Sequence, residues 1–340
     1  MKDFDYERPA SVEQAVDLVT KNPSAQYLAG GSNLLDHLKL GITAPDLLVD
    51  VTGLGLDRIE QTPDGGLRIG ANVLNADLAA DRWVLRHQPV LARALLAGAS
   101  GQIRNQATTA GNLLQRTRCV YFQDRTTACN KREPGSGCSA DSPQAHTRDN
   151  AVLGSSPACR AVHPGDMPVD LAALDARVVV RGADGERSLG LDDFYRLPGE
   201  DASRETVLRH GELVTHVVLP APVEGAAQGY HKVRDRASFA FALVSVAAVL
   251  RMREGVVDEL RLAWGGVAHR PWCARGVEQA LTGGGLDEAS IREACALEFA
   301  QAHLVEGTRA KPAMVAGATA MVLLQLAEQQ PGPSEQQEAQ

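Results

Sequence analysis

The sequence predicts an α+β protein of about two domains, and three observations carry the expectation. Its 340 residues correspond to two domains at roughly 150 residues each. Short apolar runs of strand type are interleaved with stretches of helical period, and beyond residue 230 apolar strands come first and helices after them, the order of an antiparallel sheet covered by helices. Composition shifts at 220–229, where PAPVEGAAQG reads as a linker. Hydrophobic residues make up 44% and charged residues 22%, enough apolar surface to build cores, which excludes a disordered chain. The 34 basic and 42 acidic side chains leave a net charge of −8; without a basic stripe, nucleic acid is not an expected partner. No apolar run approaches the roughly 18 residues that a membrane helix needs, and the opening MKDFDYERPASVEQA has no apolar stretch of signal-peptide type.

Taken in order, SVEQAVDLVTK (11–21) predicts a helix: Ser11 stands at a cap position, Glu13 follows, and Val12, Ala15, Val16 and Val19 recur at helical spacing. The strand AQYLA, the turn Ala29-Gly30-Gly31-Ser32-Asn33, the helical LLDHLKL and the apolar DLLVDV then compose a strand–turn–helix–strand unit. GLRIGANVLNADLAAD predicts a strand leading into a helix capped by Asn75 or Asp77, and PVLARALLAGAS a buried helix. Further on, LAALDARVVVRG predicts a helix or apolar turn before a strand. DGERSLGLDDFYRLPG reads as a hairpin and exposed loop, and ELVTHVVLPAP as a strand ended by prolines. Beyond the linker, HKVRDRASFAFALVSVAAVLRM predicts a basic start and an apolar strand, VVDELRLAWGGVAHRP a further strand pair, and 274–327 mostly helix with a cap at Asp287. Residues 329–340 read as a disordered tail.

Two loops and a cysteine cluster carry the candidate chemistry. Adjacent Gly30 and Gly31 ahead of a helix let consecutive N–H groups converge, which suits a pyrophosphate; a plain tight turn is the competing reading. The turn is not G-x-G-x-x-G and its unit is too short for a nicotinamide-binding fold. In QIRNQATTAGNLLQ (102–115), Thr108, Thr109, Gly111 and Asn112 offer hydroxyls, a glycine and an amide in one loop, able to bind diphosphate or a ring edge, or simply to turn the chain. Four of the six cysteines, Cys119, Cys129, Cys138 and Cys159, follow as C-x9-C-x8-C-x20-C in a segment rich in Gly, Pro, Ser and charge, which cannot bury a core unaided. A four-thiolate iron–sulfur cluster, a structural zinc and two disulfides compete for them. Zinc lacks its paired C-x2-4-C knuckles, and disulfides need an oxidising compartment. Cys273 and Cys295 read as structural.

AGGSNLLDHLKLG, QIRNQATTAGN and the stretch from HKVRDRASFAFALVSVAAVL to WGGVAHRP resemble the flavin-binding subunit of the molybdenum hydroxylases, the group of xanthine dehydrogenase, carbon monoxide dehydrogenase and aldehyde oxidoreductases. The resemblance runs from about residue 4 to about residue 325. The insertion CVYFQDRTTACNKREPGSGCSA and the following AVLGSSPACRAVHPGDM are similar to the three-subunit bacterial aldehyde oxidoreductase whose flavin subunit holds a [4Fe-4S] cluster.

The resemblance implies a vanillyl-alcohol-oxidase-type FAD-binding domain at 1–222, with subdomains at about 1–55 and 56–222 and an iron–sulfur loop at 116–162. A C-terminal α+β domain of antiparallel sheet and helices would follow at 228–328. It also implies that Ala29, Gly30, Gly31, Ser32, Asn33 and Leu34 hold the FAD pyrophosphate, with Thr108, Thr109, Gly111 and Asn112 in the second flavin loop and Ile103 beside it. Asp166 would lie near the adenosine and ribose, following Gly165 where the family more usually has Ser, and Lys232 close to the isoalloxazine, where a cation stabilises the reduced ring. Cys119, Cys129, Cys138 and Cys159 would ligate the cluster, with Arg118, Lys131 or Arg132 as candidates to compensate its charge.

The function so implied is electron relay. [2Fe-2S] clusters on a small partner would feed FAD, a large molybdenum-cofactor subunit would oxidise the substrate in a heterotrimer, and an external acceptor would drain the flavin. The expected location is the cytoplasm, or the periplasm by export on a partner's signal. A freestanding flavin reductase of the same fold and a zinc-stapled, non-redox interaction subunit are the alternatives.

Overall fold

A computed structural model describes residues 1–330; positions 331–340, most of the expected tail, lie outside the described residues. The N-terminal unit contains β1 (Asp5–Glu7), α1 (Val12–Lys21), β2 (Gln26–Leu28), α2 (Leu34–Leu40) and β3 (Leu47–Asp50), with β3 central in a parallel sheet of order β1-β3-β2. Ser11 caps α1 by accepting a hydrogen bond from the Gln14 N–H at 3.1 Å. The helix then buries Ala15, Val16 and Val19 against Leu47, Val49 and Leu213.

The second unit begins with β4 (Ile59–Gln61) and β5 (Leu67–Gly70). Six short helices follow: α3 (Asn75–Ala80), α4 (Arg82–His87), α5 (Pro89–Ala97), α6 (Gly101–Arg104), α7 (Thr109–Leu113) and α8 (Val120–Gln123). After the cysteine segment come α9 (Met167–Ala173), β6 (Arg177–Gly182), β7 (Gly185–Gly190), α10 (Leu191–Phe194) and β8 (Leu213–Leu219). The five strands pair antiparallel in the order β4-β5-β8-β6-β7. Two local expectations differ. Leu74, not Asn75 or Asp77, precedes α3, because this turn is held from outside by the Asn75 N–H donating to Ala107 O at 2.9 Å. The stretch expected as an exposed loop buries Phe194 and Tyr195, and the Tyr195 hydroxyl donates to Leu113 O at 2.9 Å.

The third unit is an antiparallel sheet, β12-β11-β10-β9, formed by β9 (Ala227–Val233), β10 (Val244–Arg253), β11 (Val256–Gly265) and β12 (Trp272–Cys273), and covered by α11 (Arg275–Leu281), α12 (Glu288–Glu298) and α13 (Lys311–Glu328). β9 starts inside the expected linker, and the expected strand pair is one long strand plus the two-residue β12. The apolar run of β10 has a direct cause. Val244, Val246, Ala248 and Leu250 face the helices of their own unit, whereas Ala247 and Val249 pack into the core of the second unit, so both faces of the strand are dry. Asp287 caps α12 reciprocally with Ser290. Over Glu306–Glu328 the chain is long and apolar enough by composition to cross a membrane, but Val315, Ala318, Val322, Leu323 and Leu326 are buried against the sheet and neighbouring helices, which makes α13 a core helix.

Candidate functional site

Residues 29–34 connect β2 to α2 and line a cavity of about 490 Å³. A Cβ on Gly30 would stand 1.9 Å from the carbonyl oxygen of Gln106, so the first loop lies directly on the second and tolerates only glycine there. Gly31 has φ +70°, a left-handed conformation that glycine adopts freely. The N–H groups of Gly30, Gly31, Ser32, Asn33 and Leu34 find no acceptor among the described residues. Converging free donors of this kind make an anion cradle. The Asn33 side chain serves the protein instead: its Oδ1 accepts from Arg116 N at 2.9 Å, and its Nδ2 lies 3.3 Å from His37 Nε2. Tyr27, Leu56, Leu208 and Val214 give this cavity an apolar wall, and Arg116 and Arg209 bring positive charge to it.

Ser32, Asn33 and Gly111 border this cavity and also a second one of about 460 Å³, so the two form one continuous cleft. Ile103, Asn112 and Asp166 line the second part; Thr108 lines the first and caps α7 by accepting from Gly111 N at 3.2 Å. Thr109 lies behind the cavity wall. It is fully buried, its hydroxyl donates to Val73 O at 3.1 Å, and it borders neither cavity, so its work is to fix the loop to the sheet.

Asp166 and Lys232 meet each other. Lys232 Nζ donates to Asp166 Oδ2 at 2.7 Å and to Ala97 O at 3.1 Å, while the Tyr230 hydroxyl donates to Asp166 Oδ1 at 2.6 Å. Two residues in contact cannot attend opposite ends of an extended dinucleotide, so they belong to one end. Asp166 is the member that reaches the cavity; Lys232 stands behind it and borders neither part. Burial raises the Asp166 carboxyl above its usual range and the Lys232 ammonium opposes that shift. Sequence reasoning passed over Asn72, Arg116 and His210 in the first part and Gln115 and Phe241 in the second, where Arg118, named above only as a candidate for the cysteine cluster, also lies. Only Arg118, next to Cys119, carried a local signal.

All four clustered cysteines border one closed pocket with room for about one water, roughly 10 Å³. Cys129 and Cys138 face each other across an antiparallel bridge, Cys159 is buried beside Ala161 and Ala202, and all are free thiols. Among the described residues no three His, Cys, Asp or Glu side chains gather closely enough to hold a single ion. Burial pushes the Cys159 thiol up to about 11, and the charge of Lys131 opposes that rise. Of the candidate compensating cations, Arg132 is occupied by the carbonyls of Tyr121, Phe122 and Thr127, and Arg118 lies over Phe241 at 5.3 Å; Lys131 lines the pocket itself.

Residues 2–222 match the family described as the FAD binding domain in molybdopterin dehydrogenase, and residues 228–325 match the C-terminal domain of the CO dehydrogenase flavoprotein. The chain belongs to this family of FAD-binding oxidoreductase subunits. It is 53% identical to the aldehyde oxidoreductase FAD-binding subunit PaoB of Escherichia coli (strain K12), over 84% of this chain and 87% of that one. The glyceraldehyde dehydrogenase medium chain of Sulfolobus acidocaldarius is 27% identical over 86% of this chain and 85% of its own. In structure the subunit resembles carbon monoxide dehydrogenase from Hydrogenophaga pseudoflava with a TM-score of 0.75, covering 96% of this chain and 98% of that chain; at 24% identity this likeness concerns the fold.

The FAD-binding subunit also buries histidines that its fold keeps neutral. Burial lowers His163 to about 4, and burial together with the nearby Arg116 charge lowers His37 to about 4. The unfolded chain therefore binds protons that the folded one does not between about pH 6.5 and 4, and stability falls as pH falls through that window. For the fully buried His163 this amounts to up to roughly 3 kcal/mol. Urea unfolding midpoints measured from pH 7 to pH 4.5 should decline steadily; a flat profile would show that these rings accept protons in place.

Proposed function

We propose that this subunit relays electrons within an aldehyde oxidoreductase complex of the molybdenum hydroxylase type, with FAD in the two-part cleft and a [4Fe-4S] cluster on Cys119, Cys129, Cys138 and Cys159. The observation that carries the reading is the chain path between the two sites. Asn112, on the flavin cleft, precedes Cys119 by seven positions, and Cys159 precedes Asp166, on the same cleft, by seven. Both segments enclosing the cysteine loop therefore start or end on the wall of the cleft, and Arg118 and Phe241 border both that wall and the neighbouring cavity that reaches Cys119.

The free N–H groups of residues 30–34 would hold the diphosphate, supported by Arg116. The apolar wall around Tyr27 and Leu208 suits the adenosine end. Asp166, fixed by Lys232 and Tyr230, would then meet the ring end, on the side nearer the cysteines. The flavin and the cluster supply one-electron redox chemistry that no side chain can provide. The residues bind and orient them, and close burial of Cys129 and Cys159 keeps water from the sulfurs. The 53% identity to an aldehyde oxidoreductase subunit supports aldehyde as substrate class. On this reading, a small [2Fe-2S] subunit and a large molybdenum-cofactor subunit are the partners.

An absorption spectrum of anaerobically purified protein before and after dithionite, with iron and zinc assayed on the same sample, tests the proposal. Flavin bands over a broad bleachable shoulder with about four irons per chain are expected. Zinc without iron would replace relay by a structural role, and flavin without metal would keep the flavin site and remove the cluster.

A further inference from the structure

The pocket of four cysteines contains a cation whose charge is only partly balanced. Lys131 lines it, is 5% exposed, and donates to Ala202 O at 3.3 Å. Its Nζ lies 3.3 Å from Glu205 Oε1. Glu205 is shared: Arg116 Nε donates to both of its oxygens, at 2.9 and 3.1 Å, and the Arg116 guanidinium returns to Lys131 O at 3.4 Å. Two cations thus share one carboxylate. Against burial, which would raise it, the charges of Lys131 and then Arg116 hold the Glu205 carboxyl below its ordinary range, so the carboxylate is ionised and the trio carries one net positive charge. Arg160 also borders the pocket, but Asp141 balances it at 2.8 Å. His269 is buried without a hydrogen-bond partner among the described residues and is kept neutral by burial and by Lys131. An unbalanced buried cation is costly unless an anion faces it, and the groups it faces are the four thiols.

We propose that Lys131, positioned by Glu205, sets the reduction potential of the centre bound by the four cysteines. The inference rests on the reading of that pocket as an iron–sulfur site. Reduction adds one electron from an external donor, breaks no bond and moves no proton, so the centre becomes one unit more negative. A fixed cation at the pocket wall favours that state, since net charge and local electrostatics set cluster potentials. Arg116 bears on the same carboxylate from the flavin cleft, and its N–H holds Asn33 of the first flavin loop.

An EPR-monitored redox titration of the whole purified protein, with iron assayed on each sample, tests the inference. Lys131→Gln should make one-electron reduction at least tenfold less favourable, a shift of about 59 mV to lower potential. Lys131→Arg should restore the wild-type value, and Glu205→Gln should shift the potential upward. Full iron content with an unmoved potential in both Lys131→Gln and Glu205→Gln would overturn the proposal. Should Lys131→Gln lose its iron, Glu205→Gln decides: an upward shift supports the assignment and an unmoved potential overturns it. Wild-type protein without iron would instead refute the iron–sulfur reading, a failure distinct from that of the charge assignment.

Discussion

Gly30→Ala should weaken flavin binding about a hundredfold while leaving most of the fold intact. The added methyl would lie 1.9 Å from Gln106 O and 2.9 Å from its carbonyl carbon, both backbone atoms that no rotamer change can move away. The two loops must separate by about 1 Å or more to restore a normal contact, and overpacking of this kind costs about 3 kcal/mol or more. The loops are joined to the rest of the protein through α2 and through the Asn75 and Thr109 contacts to Ala107 and Val73, so the loops give way before the sheets. If the loss falls on the flavin-bound geometry, about 3 kcal/mol corresponds to roughly a hundredfold weaker binding. Gly31→Ala should be milder, because its contact is the movable end of Leu35 at 3.0 Å and its left-handed φ costs roughly 1–2 kcal/mol. Gly101→Ala, with open space at its Cβ and no positive φ, should bind flavin normally. Flavin retained per chain after gel filtration ranks the three. Equal retention in Gly30→Ala and Gly101→Ala would show that the close approach of the loops does not hold the cofactor.

What the sequence made legible was whatever depends on neighbours along the chain. Ser11 and the spacing of Ala15, Val16 and Val19 specify α1 locally, and the capping box at Asp287 and Ser290 does the same for α12. The glycine pair and the Thr108–Gly111 turn were readable because backbone geometry demands those residue types. Contacts across the chain were not readable. Asp166 and Lys232 are 66 residues apart, and Arg116 meets Glu205 across 89. No periodicity brings such pairs together, and nothing near Lys232 in the sequence shows that its ammonium meets a carboxylate. Nor does a hydroxyl next to a flavin loop give any sign that it will donate to Val73 O. The four cysteines marked a site by type and spacing alone, but only the fold shows that they share one pocket and that Lys131, rather than Arg118 or Arg132, lines it.

On the proposed iron–sulfur reading of the cysteine pocket, Cys159→Ser should remove the iron and release the loop between Arg116 and Ala161 to proteolysis, the second large effect expected of this protein. The end of the segment is held by the third unit, where Val152 and Leu153 enter the core and both of their N–H groups donate to Val267 O, at 2.8 and 3.0 Å; the stretch from Cys119 to Asn150 has less. Phe122 is the one large fully buried side chain of that stretch, and a small apolar cluster of Cys159, Ala161 and Ala202 touches the edges of Cys119 and Ala158. Asn130 accepting from Gly135 and Gly137, and Arg132 donating to three carbonyls, shape turns without anchoring them to a core. A centre on four thiolates couples its binding free energy to the order of the loop, on the order of 10 kcal/mol for structural zinc sites, and serine does not replace a soft thiolate ligand. Arg125 and Arg148 are exposed and offer cleavage sites on either side of Cys129 and Cys138. Trypsin should therefore nick Cys159→Ser rapidly at these positions and the iron-loaded parent slowly. Cys295→Ala supplies the contrast. That thiol is fully buried in the core of the third unit, so its loss should cost ~1 kcal/mol of packing and leave iron content and protease resistance unchanged. If Cys159→Ser kept its iron and its resistance, protein contacts such as the Arg116–Glu205–Lys131 network and the Val152–Leu153 anchor would suffice to hold the loop, and the four cysteines would lose their common role.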